Sequence, residues 1–172
     1  MRSLILFAAA LFFLSSCQKN LVPYTYSLEQ KYNLEQYRDR IQFYNSTDIQ
    51  LEKNLDSVSA YIAHGKIKTV GDRKIETIFI KAGTKAGMIS GDPGQTGFEK
   101  SDEYYLAFGP NPNVNGKFTI FASQWVGNVG IVHYGTEQYN LTQGKDCYLL
   151  VDMRKILKLK KKTRTAKGRK VK

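Results

Sequence analysis

The feature that most constrains the fold is a series of short apolar segments separated by turns rich in glycine, proline and asparagine. After residue 40 the segments recur at intervals of roughly 8–12 residues, which is the spacing of short strands in all-β domains. The pattern predicts strands at 41–43, 49–51, 66–70, 73–81, 86–90, 103–108, 118–122, 129–134, 138–141 and 148–158. We therefore expect a mainly β domain, either a small barrel or a sandwich.

Two turns carry a specific hairpin signal. Gly71-Asp72 separates two of these segments, and Asn115-Gly116 comes directly before another. Such dipeptides suit the tight turns that join antiparallel strands, because the turns need positive φ angles. We predict a hairpin at each position.

The segments 80–89 and 104–108 share an arrangement of turn and strand. The first reads Ile-Lys-Ala-Gly-Thr-Lys-Ala-Gly-Met-Ile and the second Tyr-Tyr-Leu-Ala-Phe. This order resembles SH3-like barrels, in which a glycine-flanked turn leads into a core strand. The resemblance implies that the domain can take the form of an SH3-like barrel.

A helix is predicted before the first of these strands. Ser27 can cap its start, and Gln30, three residues later, completes a capping box. Apolar side chains then fall on one helical face: Leu28, Tyr32, Tyr37, Ile41 and Tyr44. We expect a helix over 28–38.

The first 17 residues have the organisation of a secretory signal. A basic start, Met1-Arg2, precedes an apolar run over 4–14, and small residues follow before Cys17. Such a segment is removed on export. A bilayer span takes about 20 apolar residues, so this run of 11 residues favours a signal over a transmembrane helix.

The residues Leu14-Ser15-Ser16-Cys17 resemble the lipobox of bacterial lipoproteins. In that family the signal is cut before the cysteine, whose sulfur is diacylated and whose new α-amino group is usually acylated. The resemblance implies that Cys17 is the lipidation site and the first residue of the mature protein. Gln18, in place of an aspartate, implies the outer membrane. A secretory signal without lipidation is the alternative.

The positive charge of the chain is concentrated at its C-terminal end. The sequence has 26 Lys and Arg residues against 15 Asp and Glu, a net charge of +11. From Arg154 to the end there are 11 basic residues and no acidic one, so the rest of the chain balances 15 against 15. Beyond Leu159 the chain has too few apolar residues to fold alone, which predicts a disordered basic tail.

We predict that the tail binds polyanions. The residues expected to make contact are Lys158, Lys160, Lys161, Lys162, Arg164, Lys167, Arg169, Lys170 and Lys172. Outside the inner membrane the abundant polyanions are lipid headgroups and anionic envelope polymers, so the expected location argues against nucleic acid. Each Lys or Arg near an anionic membrane contributes about 1 kcal/mol. A tail that only adds solubility is the alternative.

These observations divide the chain into four parts. They are a signal peptide over 1–16, a lipidated tether over 17–27, a β-rich domain over 28–158 and a basic tail over 159–172. The mature chain has the length of one domain.

Residue types that carry catalysis or metal binding are scarce. The histidines are His64 and His133, and the cysteines are Cys17 and Cys147. With Cys17 acylated, no disulfide and no cysteine-based zinc site can form, and we expect no metal or cofactor. Cys147 lies in an apolar segment, which favours a buried, inert thiol over a nucleophile working with His133.

The acidic residues give no specific signal of catalysis. Glu99, Asp102 and Glu103 are expected to form an exposed, solvated cluster. A carboxylate pair for glycoside hydrolysis stays open, because the distance between carboxylates is not in the sequence. The loop 91–97 lacks the Gly-Lys-Ser/Thr ending of a phosphate-binding loop.

Together these features predict a non-enzymatic envelope lipoprotein, a scaffold or partner-binding module anchored to the outer membrane through Cys17. The identity of its protein partner is not indicated. The alternative is a lipoprotein that binds a glycan or another small ligand through Trp125 and neighbouring aromatic residues. The chain has one tryptophan and 11 tyrosines, whose flat rings stack on sugars but also supply buried area in a β core. A hydrolase is the least supported interpretation.

Overall fold

A computed structural model describes residues 20–55, 66–70 and 73–159. The predicted mainly β fold is confirmed. Several sequence predictions concern residues outside these ranges: the signal, Cys17, the Gly71-Asp72 turn, His64 and the tail from Lys160.

The elements are numbered along the chain. The strands are β1 (Leu21–Pro23), β2 (Phe43–Asn45), β3 (Ile49–Leu55), β4 (Lys66–Val70), β5 (Arg73–Ile80), β6 (Lys85–Met88), β7 (Thr96–Gly97), β8 (Tyr105–Leu106), β9 (Phe108–Asn111), β10 (Lys117–Ile120), β11 (Gln124–Val126), β12 (Val129–Tyr134), β13 (Glu137–Gln143) and β14 (Leu149–Asp152). The α-helices are α1 (Tyr26–Tyr32) and α2 (Met153–Leu159). Short 3₁₀-helices cover Glu35–Arg40, Ile89–Gly91, Pro93–Gln95 and Pro112–Val114.

The strands form two open antiparallel sheets and a separate hairpin. The first sheet has the order β1-β14-β2-β6-β7-β8, the second β11-β12-β13-β3-β5-β4, and β9 pairs with β10. Each large sheet keeps two edges, so the described residues form no closed barrel and correspond to the predicted sandwich. The barrel that the SH3-like resemblance implied is wrong, because β6 leads through 3₁₀-helices to β7 and the open edge at β8.

One apolar cluster joins the two sheets. The first sheet contributes Phe43, Ala86, Leu106, Leu149 and Val151, and the second contributes Ile49, Leu51, Ile78, Val132 and Leu141. Tyr24 extends the cluster to the separate hairpin, since its ring centroid is 4.7 Å from that of Phe118 on β10. Each fully buried valine, leucine, isoleucine or phenylalanine side chain contributes about 1.5–3 kcal/mol to folding.

The hairpin predictions hold, with one change in loop length. Strands β4 and β5 pair in the register Val70 with Arg73, so two residues separate them. Strands β9 and β10 also pair, but five residues join them, because a 3₁₀-helix precedes the predicted turn. Asn115 and Gly116 both have the positive φ angles on which the prediction rested, 59° and 67°.

The N-terminal predictions need correction. The domain begins before residue 28, because β1 pairs with β14. Residues 20–27 of the predicted tether are described with the domain, and the part of the tether before residue 20 lies outside the described residues. The helix cap is Thr25 rather than Ser27, since the Thr25 hydroxyl accepts from the Leu28 amide at 3.1 Å. The predicted helix over 28–38 is broken after α1, where Asn33 adopts a left-handed conformation.

The predicted strand over 148–158 is also wrong in its second half. β14 ends at Asp152, whose carboxylate accepts from the Arg154 amide at 3.0 Å and caps the start of α2. Within α2, Ile156 is buried and Leu159 packs against the core. Their spacing of three residues is helical, and the apolar run that predicted a strand is too short to decide between helix and strand.

Candidate functional site

Two adjoining clefts lie beside Trp125. One has a volume of about 400 Å³ and the other about 280 Å³. They share four lining residues, which are Asn111, Thr119, Ile120 and Trp125. The larger cleft adds Val114, Lys117, Lys145, Asp146 and Tyr148, and the smaller adds Gly109, Pro110, Pro112, Phe121 and Ala122. We call the two clefts together the Trp125 groove.

The β11–β12 hairpin presents Trp125 at an open sheet edge. β11 is an edge strand, and Trp125 is 40% exposed. Gly130 lies directly opposite on β12, where a Cβ atom would come within 2.9 Å of the indole ring. The missing side chain at Gly130 therefore lets the indole pack on the backbone of β12, as aromatic residues do over cross-strand glycines. This contact orients the ring against β12.

Two lysines lie over aromatic rings of the groove. Lys145 Nζ is 5.3 Å from the ring centroid of Trp125, and Lys117 Nζ is 4.2 Å from that of Tyr148. Such contacts contribute about 0.5–1 kcal/mol at exposed sites. A ligand can therefore displace a lysine from a ring face at small cost and keep its positive charge nearby.

The groove also holds hydrogen-bonding groups. Asn111 Nδ2 donates to Thr119 Oγ1 at 3.4 Å, and Asn111 Oδ1 accepts from the Asn113 amide at 3.0 Å. These bonds fix the carboxamide between β9 and β10, while Asp146 contributes an exposed carboxylate. Flat aromatic surface beside a few fixed polar groups suits a ligand with an apolar face and several hydroxyl groups.

A second site is basic. A cleft of about 330 Å³ lies between the 3₁₀-helix Glu35–Arg40 and α2, and three exposed cations line it: Arg40, Lys155 and Lys158. Its apolar walls come from Ile41, Ile156 and Leu159. We call it the Arg40 cleft.

Asp152, the carboxylate of the Arg40 cleft, is paired with Arg154. The Arg154 Nε atom is 3.4 Å from Asp152 Oδ1. Burial raises the pKa of the Asp152 carboxyl, but hydrogen bonds from Arg154 and attraction to Arg154 and Lys155 outweigh burial and bring the pKa below its ordinary value. Asp152 is therefore ionised and neutralised at neutral pH, and the remaining charges of the cleft are positive.

Glu29 is a buried carboxylate with a structural role. It is 1% exposed and accepts a hydrogen bond from the Tyr24 hydroxyl and two from Arg38, at 2.6 and 2.9 Å. Burial and the bond to Glu29 raise the pKa of Tyr24 far above its ordinary value, and the bond to Glu29 raises the pKa of Arg38. The cluster ties α1 to the 3₁₀-helix that follows it.

Two further glutamates accept hydrogen bonds from tyrosines. The Tyr139 hydroxyl donates to Glu76 at 3.1 Å, and the Tyr134 hydroxyl donates to Glu99. Burial, followed by the neighbouring carboxylate, raises the pKa of both tyrosines well above the ordinary range. The expectation that Glu99 is exposed is wrong, because the bond to Tyr134 holds it half-buried.

The predicted burial of Cys147 is confirmed. Its side chain is 0% exposed, and its sulfur lies 3.8 Å from the Thr47 carbonyl oxygen and 3.9 Å from Ser46 Oγ. His133 is exposed on β12. The thiol is therefore surrounded by core residues and weak polar contacts.

The predicted site residues fall into two groups. Lys158 and Trp125 are described, and they line the Arg40 cleft and the Trp125 groove. Residues outside the described ranges keep their predicted roles as predictions: Cys17, Lys160, Lys161, Lys162, Arg164, Lys167, Arg169, Lys170 and Lys172.

Sequence reasoning missed the partners of Trp125 in the groove. One signal was available: Gly127-Asn128 reads as a two-residue hairpin turn, and such a turn places Trp125 opposite Gly130. Arg40 had no comparable signal, because its distance from α2 depends on the tertiary fold.

No protein-family model, curated protein sequence or solved structure matches the chain. Within residues 20–55, 66–70 and 73–159, no group of three or more His, Cys, Asp and Glu side chains is placed to hold a metal ion. No helix in these ranges has the length and apolar character to cross a membrane.

Proposed function

We propose that this protein is a non-enzymatic, lipid-anchored binding protein of the cell envelope, and that its ligand is a glycan held in the Trp125 groove. The observation that carries the proposal is the placement of Trp125 on an exposed edge strand, with Gly130 opposite to orient its ring. An exposed ring fixed in advance loses little conformational freedom when a ligand binds.

The chemistry of the groove favours a sugar over a purely apolar ligand. The indole of Trp125 offers a flat surface for the C–H face of a pyranose ring. Asn111, Lys117 and Lys145 lie around it and can bind hydroxyl or acidic substituents. An apolar ligand would shield these polar groups from water without offering them hydrogen bonds. Each group shielded in this way would weaken binding.

The anchor follows from the signal and the residues Leu14-Ser15-Ser16-Cys17. A buried acyl chain contributes about 0.8 kcal/mol per methylene, and one chain binds a membrane only marginally. Two or three chains on Cys17 would hold the protein at the outer membrane. The basic tail from residue 159 would then lie near anionic headgroups and envelope polymers.

The groove is tested by calorimetric titration of the mature protein with soluble fragments of cell-wall glycan. We expect Trp125→Ala to weaken binding at least tenfold, as loss of a central aromatic anchor does. The matched control is Phe79→Ala, since Phe79 is an exposed aromatic residue, 52% accessible, outside the groove. Equal binding by wild type and Trp125→Ala would refute the groove as the site.

The anchor is tested by cell fractionation of Cys17→Ala. The wild-type protein should enter the detergent-extracted membrane fraction as a lipidated, processed form. The variant should lose its lipid and change its mobility. A variant that stays in the membrane fraction with unchanged mobility would show that Cys17 is not the lipidation site.

A protein partner is the second candidate, and one observation favours it. Among the described residues β11 pairs with β12 alone and forms the edge of its sheet, and Val126 and Phe121 beside Trp125 are 61% and 66% exposed. An extended peptide can add a strand to such an edge. Val126→Lys separates the two candidates, because Val126 does not line the groove. Crosslinking to a protein in cells should be lost while glycan binding is kept.

A further inference from the structure

We infer that the face around the Arg40 cleft lies on the membrane and binds anionic lipid headgroups. The inference rests on the proposed lipid anchor at Cys17 and adds to it a docking surface of the folded domain and an orientation on the bilayer. It goes beyond the predicted role of the tail, which already included Lys158, because Arg40 and Lys155 were not among the predicted contacts and all three cations belong to described elements.

The chain enters the domain beside α2. The carbonyl oxygen of Asn20 accepts a hydrogen bond from the amide of Met153, the first residue of α2, at 3.2 Å. Leu21 then pairs with Asp152 in the sheet. The segment that leads from the anchor and the helix that leads to the tail therefore meet at one end of β14.

Covalent geometry keeps the anchor close to this face. Asn20 is the third residue after Cys17, and an extended chain advances at most about 3.6 Å from one Cα atom to the next. The Cα atom of Cys17 therefore lies within about 11 Å of Asn20. α2 has seven residues at about 1.5 Å each. The tail thus leaves the domain about 10 Å from where the chain enters.

The charge of this face complements an anionic bilayer. Arg40, Lys155 and Lys158 are all exposed around one cleft, and Asp152, the only carboxylate that lines it among the described residues, is paired with Arg154. Leu157 lies on the same helix outside the cleft lining and is 55% exposed, which suits a side chain that enters the headgroup boundary. Phosphate groups of the lipids supply the anionic partners that arginine and lysine bind.

The Trp125 groove lies away from this face along the same strand. Tyr148 lines the groove directly before β14, and Asp152 lines the Arg40 cleft at the end of the strand. Asp152 is the fourth residue after Tyr148, so an extended chain places their Cα atoms about 13 Å apart. Docking through α2 therefore leaves the groove at the end of β14 that is farther from the bilayer.

The test uses the mature lipidated protein in vesicles that contain brominated lipid, which quenches tryptophan fluorescence. Trp125, the only tryptophan, reports the groove, and Leu157→Trp in a Trp125→Phe background reports α2. In vesicles with anionic lipid we expect strong quenching at position 157 and little at position 125.

The charge dependence is tested by replacing Arg40, Lys155 and Lys158 together with glutamine. Since each cation near an anionic surface strengthens binding about fivefold, quenching at position 157 should fall to the level seen in zwitterionic vesicles. The matched control replaces Lys74, Lys85 and Lys100, which are exposed and do not line the cleft. It removes the same charge and should leave quenching unchanged.

Two kinds of failure are distinguishable. A protein that does not float with vesicles lacks the anchor, and the proposed function fails. A protein that floats but shows quenching at position 125 and none at position 157 keeps the anchor and overturns the inferred orientation. Equal loss of quenching in the control variant would also overturn it, because net charge alone would then explain the docking.

Discussion

At the scale of single residues, the buried pair Glu29–Arg38 shows how the N-terminal part is held together. Removing one partner of a buried ion pair leaves the other charge unpaired, at about 3–5 kcal/mol. Arg38 is partly exposed, with 18% of its side chain accessible. We therefore predict that Glu29→Gln lowers the free energy of unfolding by about 3 kcal/mol, measured by urea denaturation.

Glu35→Gln is the matched control for this prediction. Glu35 also pairs with Arg38, but at 4.0 Å and with 69% of its side chain exposed. Exposed pairs contribute at most about 1 kcal/mol, so this change should have a small effect. If the two variants lost similar free energies of unfolding, the burial of Glu29 would not be the reason why its pair with Arg38 stabilises the fold.

Gly130 carries the second prediction at this scale, because it determines where the Trp125 ring lies. In Gly130→Ala the new Cβ meets the indole at 2.9 Å, so the ring must move. Moving it off its rotamer costs about 0.5–1.5 kcal/mol. We expect glycan affinity to fall roughly three- to tenfold while the fold is kept.

Gly109→Ala is the control, since Gly109 also lines the groove but a Cβ there meets nothing within 4 Å. Both variants are titrated by calorimetry and checked by circular dichroism. Unchanged affinity in Gly130→Ala would show that the orientation of Trp125 does not matter for binding.

At the scale of elements, two hairpin turns offer a comparison of backbone strain with steric contact. Gly127 begins the turn between β11 and β12, and Gly135 begins the turn between β12 and β13, with φ angles of 61° and 65°. A Cβ at Gly127 meets nothing, whereas at Gly135 it lies 2.4 Å from the Glu103 carbonyl oxygen.

We predict that Gly135→Ala destabilises the protein clearly more than Gly127→Ala. A left-handed non-glycine residue costs about 1–2 kcal/mol, which both variants share. Only Gly135→Ala must also push aside the backbone at Glu103. Thermal or urea unfolding of both variants measures the difference in stability. Equal losses of stability would show that the backbone at Glu103 moves aside without cost.

The elements that the sequence predicted correctly are those set by local pattern. Strands such as β5 and β12 are rich in β-branched and aromatic residues and are bounded by turn residues, and the turn at Asn115-Gly116 needs positive φ angles, so each could be read from neighbouring residues. β1 and α2 could not, because β1 is three residues long and is defined by its pairing with β14. The two clefts likewise combine residues that are distant in sequence.

At the scale of the whole molecule, buried tyrosines predict how stability depends on pH. Burial and neighbouring glutamates raise the pKa values of Tyr24, Tyr134 and Tyr139 in the folded protein. In the unfolded chain a tyrosine ionises near pH 10. Above about pH 10 the unfolded state therefore loses protons that the folded state keeps, and stability falls as pH rises.

We predict a constant contribution from these tyrosines below about pH 9 and a decline above pH 10. Urea unfolding at increasing pH measures the decline, and absorbance at 295 nm should show some of the 11 tyrosines ionising only with unfolding. Tyr134→Phe should make the decline shallower. Ionisation of every tyrosine near pH 10 in the folded protein would contradict the prediction.

The whole molecule is organised along β14. One end of the strand leads to the Arg40 cleft and lies near the chain entry, and the other end leads to the Trp125 groove. With a lipid on Cys17, this arrangement would hold the groove away from the bilayer and available to a ligand of the envelope. The proposed function therefore depends on binding in the groove.

The most direct test of binding in the groove is co-sedimentation of the protein with purified, insoluble cell-wall glycan at high salt. At 1 M salt the screening length is about 3 Å, so binding by the basic tail is suppressed. We predict that the wild-type protein pellets with the glycan, that Trp125→Ala stays in the supernatant, and that Phe79→Ala pellets like wild type. A Trp125→Ala variant that pellets as fully as wild type would contradict the claim.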